Sequence, residues 1–150
     1  MLLLAACGAA GEKHYKVPSA AMEPTIKEGT TVTARTVKSG DYNPADGDLV
    51  VVRPPAAWGV TGSGDLLIRR VVGVAGETIE CCDGTDGQIK RDGKPADEPY
   101  LSPQGQTASF PPVKVPAGEI YVMEDRRGSG NDSAQHGTLP VGTVIGVVEH

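Results

Sequence analysis

The stretch Leu66-Leu-Ile-Arg-Arg-Val-Val-Gly-Val-Ala-Gly76 reads as a β-strand closed by a turn, because apolar and β-branched residues fill it and Ala75-Gly76 ends it. Upstream, Asp48-Leu-Val-Val-Val-Arg53 is a strand apolar enough to be covered on both faces, and Pro54-Pro55 stops it. Thr30-Thr-Val-Thr-Ala-Arg-Thr-Val37 alternates β-branched and polar residues, as a half-buried strand does. Downstream, Thr78–Cys82 and Gly87–Lys90, with Asp92-Gly93 as the turn, form a small hairpin region. Pro95–Ala117 is proline-rich and reads as mostly irregular. Glu119–Met123 and Gly142–Val148 are the remaining strands, separated by the polar loop Glu124–Leu139. Short turns after Pro24 and after Asp132 are the only helix candidates. The expectation is a mostly β protein with an antiparallel sheet core and a small inserted hairpin region over about residues 78–117.

Composition agrees with that class. Twenty glycines and twelve prolines make about a fifth of the 150 residues turn-formers, and one Phe, one Trp and four Tyr leave little for a helical bundle core. A net charge of −5 with scattered basic residues argues against a nucleic-acid surface. Three cysteines have no metal-ligand spacing, and neither a metal nor a cofactor is expected. The adjacent Cys81 and Cys82 are open to two readings, a disulfide or a pair of quiet thiols.

The start of the chain reads Met1-Leu-Leu-Leu-Ala-Ala-Cys-Gly8, and Leu4-Ala5-Ala6-Cys7 fits a bacterial lipobox in which the cysteine is lipidated. A charged first segment and a full apolar segment of a signal peptide are missing. Residues 1–16 are accordingly expected to be an anchor and linker, with the folded core at 17–150. No stretch approaches the roughly 20 apolar residues of a spanning helix, so attachment to a membrane surface has to come from lipid or surface contact. Trp58, after Pro54-Pro55, is a loop residue that could touch a bilayer interface or simply pack.

Val17-Pro-Ser-Ala-Ala-Met-Glu-Pro-Thr-Ile26 is a small-residue turn bracketed by prolines and flanked by apolar side chains. Such a turn exposes backbone N–H groups suited to binding an oxyanion. Four segments in order now resemble the type I signal peptidase family, the Ser/Lys proteases that remove secretory leader peptides. Pro18-Ser-Ala-Ala-Met-Glu-Pro-Thr25 is similar to that family's Pro-Ser-Gly-Ser-Met-x-Pro-Thr, and Gly47-Asp48 before an apolar strand is similar to its second motif. Arg69-Arg-Val-Val-Gly-Val-Ala-Gly-Glu77 resembles Lys-Arg-x-x-Gly-x-x-Gly-Asp. Glu124-Asp-Arg-Arg-Gly-Ser-Gly-Asn-Asp-Ser-Ala134 resembles Gly-Asp-Asn-Arg-x-x-Ser-x-Asp-Ser-Arg, with changes at Glu124, Arg126, Gly130 and Ala134.

The resemblance implies a signal-peptidase sheet core and a serine hydroxyl attacking a peptide carbonyl while a buried neutral lysine takes the proton. By position, the nucleophile falls on Ala21, the base on Arg69 and the oxyanion-holding hydroxyl on Ser19. Alanine offers no nucleophile, and an arginine keeps its proton. Removing a nucleophile or base costs on the order of 10⁶-fold in a comparable serine protease, so the chain is expected to be catalytically defective.

The resemblance further implies that Val17, Pro18, Met22, Ile26 and Ile68 line pockets for small side chains of a signal peptide. Ordinary core packing is the alternative for each. Asp125, Arg127 and Asp132, with Arg70, are expected to form an ion-pair network behind the site. Ile89-Lys90-Arg91 imitates the base motif but lacks the following apolar strand and Gly-x-x-Gly. Asp132, Ser133 and His136 look triad-like, but neighbours on one loop seldom converge, and a hydrogen-bonded cap is expected. An engineered serine-to-alanine change would leave a lysine at 69, and the several worn positions point to natural loss. The implied partners are signal peptides of preproteins at the extracytoplasmic face of a bacterial membrane. An active enzyme with a rewired site and a purely structural domain are the other two readings.

Overall fold

The computed structural model describes residues 11–38, 40–60, 65–83, 87–128 and 130–149. Cys7 lies outside them. Eleven strands are seen among the described residues: β1 (Glu12–Lys16), β2 (Thr31–Thr36), β3 (Leu49–Val52), β4 (Leu67–Val74), β5 (Thr78–Asp83), β6 (Gln88–Arg91), β7 (Lys94–Pro95), β8 (Phe110–Lys114), β9 (Glu119–Met123), β10 (Leu139–Pro140) and β11 (Val144–Val148). Among the described residues, one short helix, α1 (Ser133–His136), and three 3₁₀ turns join them.

The strands divide into two antiparallel sheets. One runs β1-β2-β11-β3-β4-β9-β10 and the other β7-β6-β5-β8. The apolar run of β3 is buried along its whole length, as its composition predicts, because it lies between β11 and β4 with side chains packed on both faces. One core cluster gathers Val50, Val52, Val71, Val122 and Leu139. A second, on Leu49, Val51 and Ile68, takes in Val17, Met22 and Ile26. A third joins the smaller sheet to the larger through Ile79, Ile89, Phe110 and Tyr121. Gly73, at an irregularity of the β4–β9 ladder, cannot be larger: a Cβ there would lie 2.6 Å from Ile79 Cγ1.

Three expectations are corrected. Residues 12–16 are not linker but an edge strand, paired from Glu12↔Arg35 to Lys16↔Thr31. Their mostly exposed polar side chains carry no period-2 signal, so main-chain pairing alone makes the strand. Within the stretch read as irregular, Phe110–Lys114 forms β8 despite Pro111 and Pro112. It is tolerated because β8 is the edge of its sheet, where a missing N–H breaks no inner ladder. Asp92-Gly93 does turn the chain, but between β6 and β7, with Arg91 opposite Lys94. Both residues have positive φ (52° and 77°), as a two-residue hairpin loop of the primed type requires.

Trp58 is buried and stacks on His136 at 4.6 Å between ring centroids. It is a packing residue. Cys81 and Cys82 are joined by a disulfide.

Candidate functional site

The segment 17–30 is a hairpin-like loop whose ends are tied together: Val17 N–H donates to Thr30 carbonyl (2.8 Å) and Gly29 N–H to Val17 carbonyl (2.9 Å). At its centre a 3₁₀ turn covers Ala20–Met22. Ser19 caps that turn, its Oγ accepting from Ala21 N–H at 3.4 Å. Ser19 is exposed and Ala21 is buried. The Ala21 carbonyl accepts from Arg126 N–H at 2.9 Å, which fastens the turn to the loop after β9.

Arg69 lies in the middle of β4 and is only 5% exposed. Its Nε donates to Asn131 carbonyl (2.8 Å) and its Nη1 to Ile68 carbonyl (2.7 Å). Burial pushes the guanidinium below its ordinary pKa, while the charges of Glu124 and Asp132 act in the opposite direction. Ala21 and Arg69 are therefore bound to one loop, at positions 126 and 131. The two positions that the resemblance equates with nucleophile and base are thus each tied to this loop.

Of the five residues expected to line pockets, Val17, Met22, Ile26 and Ile68 share one apolar cluster and are buried. Pro18 stays exposed at its rim. Leu66 is partly buried against the same cluster.

The charged network differs from its expected wiring. Arg70 and Asp125 form a buried bidentate pair, Nε to Oδ1 at 2.8 Å and Nη2 to Oδ2 at 2.7 Å. Arg70 also donates to Gly47 carbonyl (3.1 Å), and Thr25 Oγ1 donates to Asp125. Arg127 does not pair with Asp125 or Asp132; its Nη2 pairs with Glu98. Asp132 accepts from Ala134 N–H (3.0 Å) and Glu124 N–H (3.4 Å), so it caps α1 rather than pairing with an arginine. Glu98 and Tyr100 complete a chain that sequence reading missed. The Arg70 guanidinium lies over the Tyr100 ring at 3.8 Å, and Tyr100 hydroxyl donates to Glu98 Oε2 at 2.9 Å. Their signal was present in Glu98-Pro-Tyr100, within the stretch read above as mostly irregular.

Lys90 sits on β6 of the smaller sheet, opposite Glu80 and Pro95. Asp132, Ser133 and His136 go to different partners: Ser133 Oγ accepts from Val122 N–H (2.9 Å), and His136 meets Asn131 Oδ1 (3.2 Å) and Trp58. Behind the loop, where Ala134 stands in place of the family's Arg, a cavity of about 360 Å³ is lined by Met123, Gly130, Asp132 and Ala134.

The family described as signal peptidase, peptidase S26, matches residues 1–150. The chain belongs to the signal peptidase family. Among relatives, the Synechocystis sp. protein named "Probable signal peptidase I-1" is 36% identical over 137 residues, covering 90% of this chain and 67% of the relative. Signal peptidase I of Mycobacterium tuberculosis is 28% identical over 185 residues, covering 89% of this chain and 62% of the relative. The chain thus spans about two thirds of the length of these signal peptidases. In fold, it is similar to the crystal structure of a signal peptidase I from Enterococcus faecalis, with a TM-score of 0.56 and 23% identity, covering 72% of this chain and 98% of that one. Among the described residues, no helix is long and apolar enough to cross a membrane.

Asp125→Asn leaves Arg70 buried beside a weakened partner. The substitution is expected to cost about 3–5 kcal/mol of folding stability, measured by urea unfolding at neutral pH. A loss below about 1 kcal/mol would show that the pair does not hold the site together.

Proposed function

We propose that this chain is a catalytically defective member of the signal peptidase family. It binds the small-residue region of secretory leader peptides at the extracytoplasmic face of a bacterial membrane. The observation that carries the reading is Arg69, which is buried with Nε and Nη1 both bonded to main-chain carbonyls. A guanidinium so held cannot take a proton, and Ala21 beside the same loop has none to give.

What supports binding is the part of the site that chemistry does not need. Ser19 is exposed at the head of the turn and its Oγ accepts from Ala21 N–H, so its own O–H is left to donate to a peptide carbonyl. Val17, Met22, Ile26 and Ile68 form the buried apolar cluster on which that turn rests, with Pro18 exposed at its rim. Small side chains suit a rim backed by so closely packed a cluster, and bulky or charged ones do not. Lipidation at Cys7 is part of the same reading, since an acyl anchor would hold the domain where leader peptides emerge.

A synthetic leader peptide with Ala-x-Ala at its small-residue positions is expected to bind saturably in a calorimetric titration. Replacing either alanine by Phe or Lys is expected to weaken binding by about tenfold or more, on the order of 1.4 kcal/mol. Absence of saturable binding, or equal affinity for all three peptides, would favour a structural domain. In a bacterial host, a labelled fatty acid is expected to appear on the full chain and to vanish in Cys7→Ala; label retained in that variant would remove the anchor from the account.

A further inference from the structure

The smaller sheet carries a reactive group that the site described above does not use. β5 is an inner strand of that sheet, between β6 and β8, and its Cys81 and Cys82 are joined by a disulfide. Successive side chains of a regular strand point to opposite faces, so a bond between two neighbours forces a local irregularity. Both ladders of β5 slip at this point, against β6 between Cys81 and Asp83 and against β8 between Ile79 and Cys81. Cys81 is buried in the core with Ile89 and Phe110. Cys82 is only partly buried and lines a cleft of about 870 Å³ with Gln88, Gln104 and Thr107, so its sulfur is open to a thiol from solution.

The disulfide touches the segment that braces the site. Ser109 hydroxyl donates to Cys81 carbonyl at 3.3 Å, and Cys82 Sγ lies 3.8 Å from Thr107 carbonyl. The same segment runs along the loop after β9: Ser102 N–H donates to Asp125 carbonyl and Gln106 N–H to Arg127 carbonyl, each at 3.0 Å. Gly105 permits that approach, since a Cβ there would lie 2.5 Å from the Arg127 nitrogen. Between those two bonds, Arg126 N–H donates to Ala21 carbonyl at 2.9 Å. Contacts therefore lead from Cys82 through residues 102–107 to the turn at Ala21.

We propose that the Cys81–Cys82 disulfide is a redox-sensitive lock that holds segment 102–109, and through it the loop to which Ala21 is tied. The agent that opens it is a dithiol. One thiolate of the dithiol attacks Cys82 Sγ, the sulfur–sulfur bond breaks, and Cys81 leaves as a thiolate that takes up a proton. The second thiolate of the dithiol then closes on the mixed disulfide and releases Cys82 as a thiol. Two electrons pass to the protein, and the dithiol ends as its own disulfide. Once the bond is gone, Cys81 keeps its place in the core while Cys82 is free to turn to the opposite face. β5 can then pair regularly, and the contact with Thr107 is given up. The lock goes beyond leader-peptide binding and does not depend on it.

The test compares the full chain before and after treatment with dithiothreitol, with alkylation and mass spectrometry of the peptide that contains residues 81 and 82, and amide hydrogen exchange followed by NMR. The untreated peptide is expected to resist alkylation and the treated one to take two alkyl groups. On reduction, the Ser102, Gln106 and Arg126 amides are expected to exchange about tenfold faster or more, while Val51 and Val122 of the larger sheet keep their rates. Cys82→Ser is expected to show the fast rates from the start and no response to dithiothreitol. Two free thiols in the untreated chain would overturn the proposal. So would faster exchange confined to β5 and its sheet neighbours, or an equal rise throughout the larger sheet, which marks a disulfide that only stabilises the fold. Neither readout requires a peptide ligand, so failure of leader-peptide binding leaves this test intact, and the reverse also holds.

Discussion

The buried pair between Arg70 and Asp125 is the constraint on which the site depends. It draws on all four of the segments that identify the family. Arg70 comes from β4, Asp125 from the loop after β9, Thr25 from the turn that carries Ala21, and Gly47 offers its carbonyl from the approach to β3. A charge so deeply buried is costly unless every donor and acceptor is used. Here the guanidinium is bonded on Nε, Nη1 and Nη2 and covered by the Tyr100 ring. The same network passes through Tyr100 and Glu98 to Arg127, and so ties the smaller sheet to the loop.

That scaffold does not depend on whether the centre works. Ala21 and Arg69 hang from the same loop that Asp125 anchors, through Arg126 N–H and Asn131 carbonyl. The turn at Ala21 is capped by Ser19 and closed by main-chain contacts, so it needs no side chain at position 21. The guanidinium at position 69 is held by Asn131 carbonyl and Ile68 carbonyl, with the Glu124 charge acting on it.

The main sheet was legible because its inner strands are apolar runs with no other way to be buried. Edge strands were not: Glu12–Lys16 is polar and Phe110–Lys114 contains two prolines, and both are made by pairing rather than by pattern. The association of Arg70 with Asp125 was legible by resemblance. Which carboxylate each arginine takes was not. Arg127 lies near Asp125 and Asp132 in sequence, yet it pairs with Glu98, 29 residues away. Spacing along a loop says little about direction, and only the fold of the smaller sheet turns Glu98 inward. The vicinal cysteines and Trp58 were equally undecided from composition, since both outcomes satisfy the same residues.

The most direct test of the central claim is the fate of a preprotein bearing an Ala-x-Ala site, incubated with the full chain and followed by mass spectrometry of both protein and leader. The account predicts that the preprotein is recovered intact after prolonged incubation, at a level equal to a buffer control. Release of a leader peptide cut at that site, above the control and with this chain as the only protein added, would contradict it.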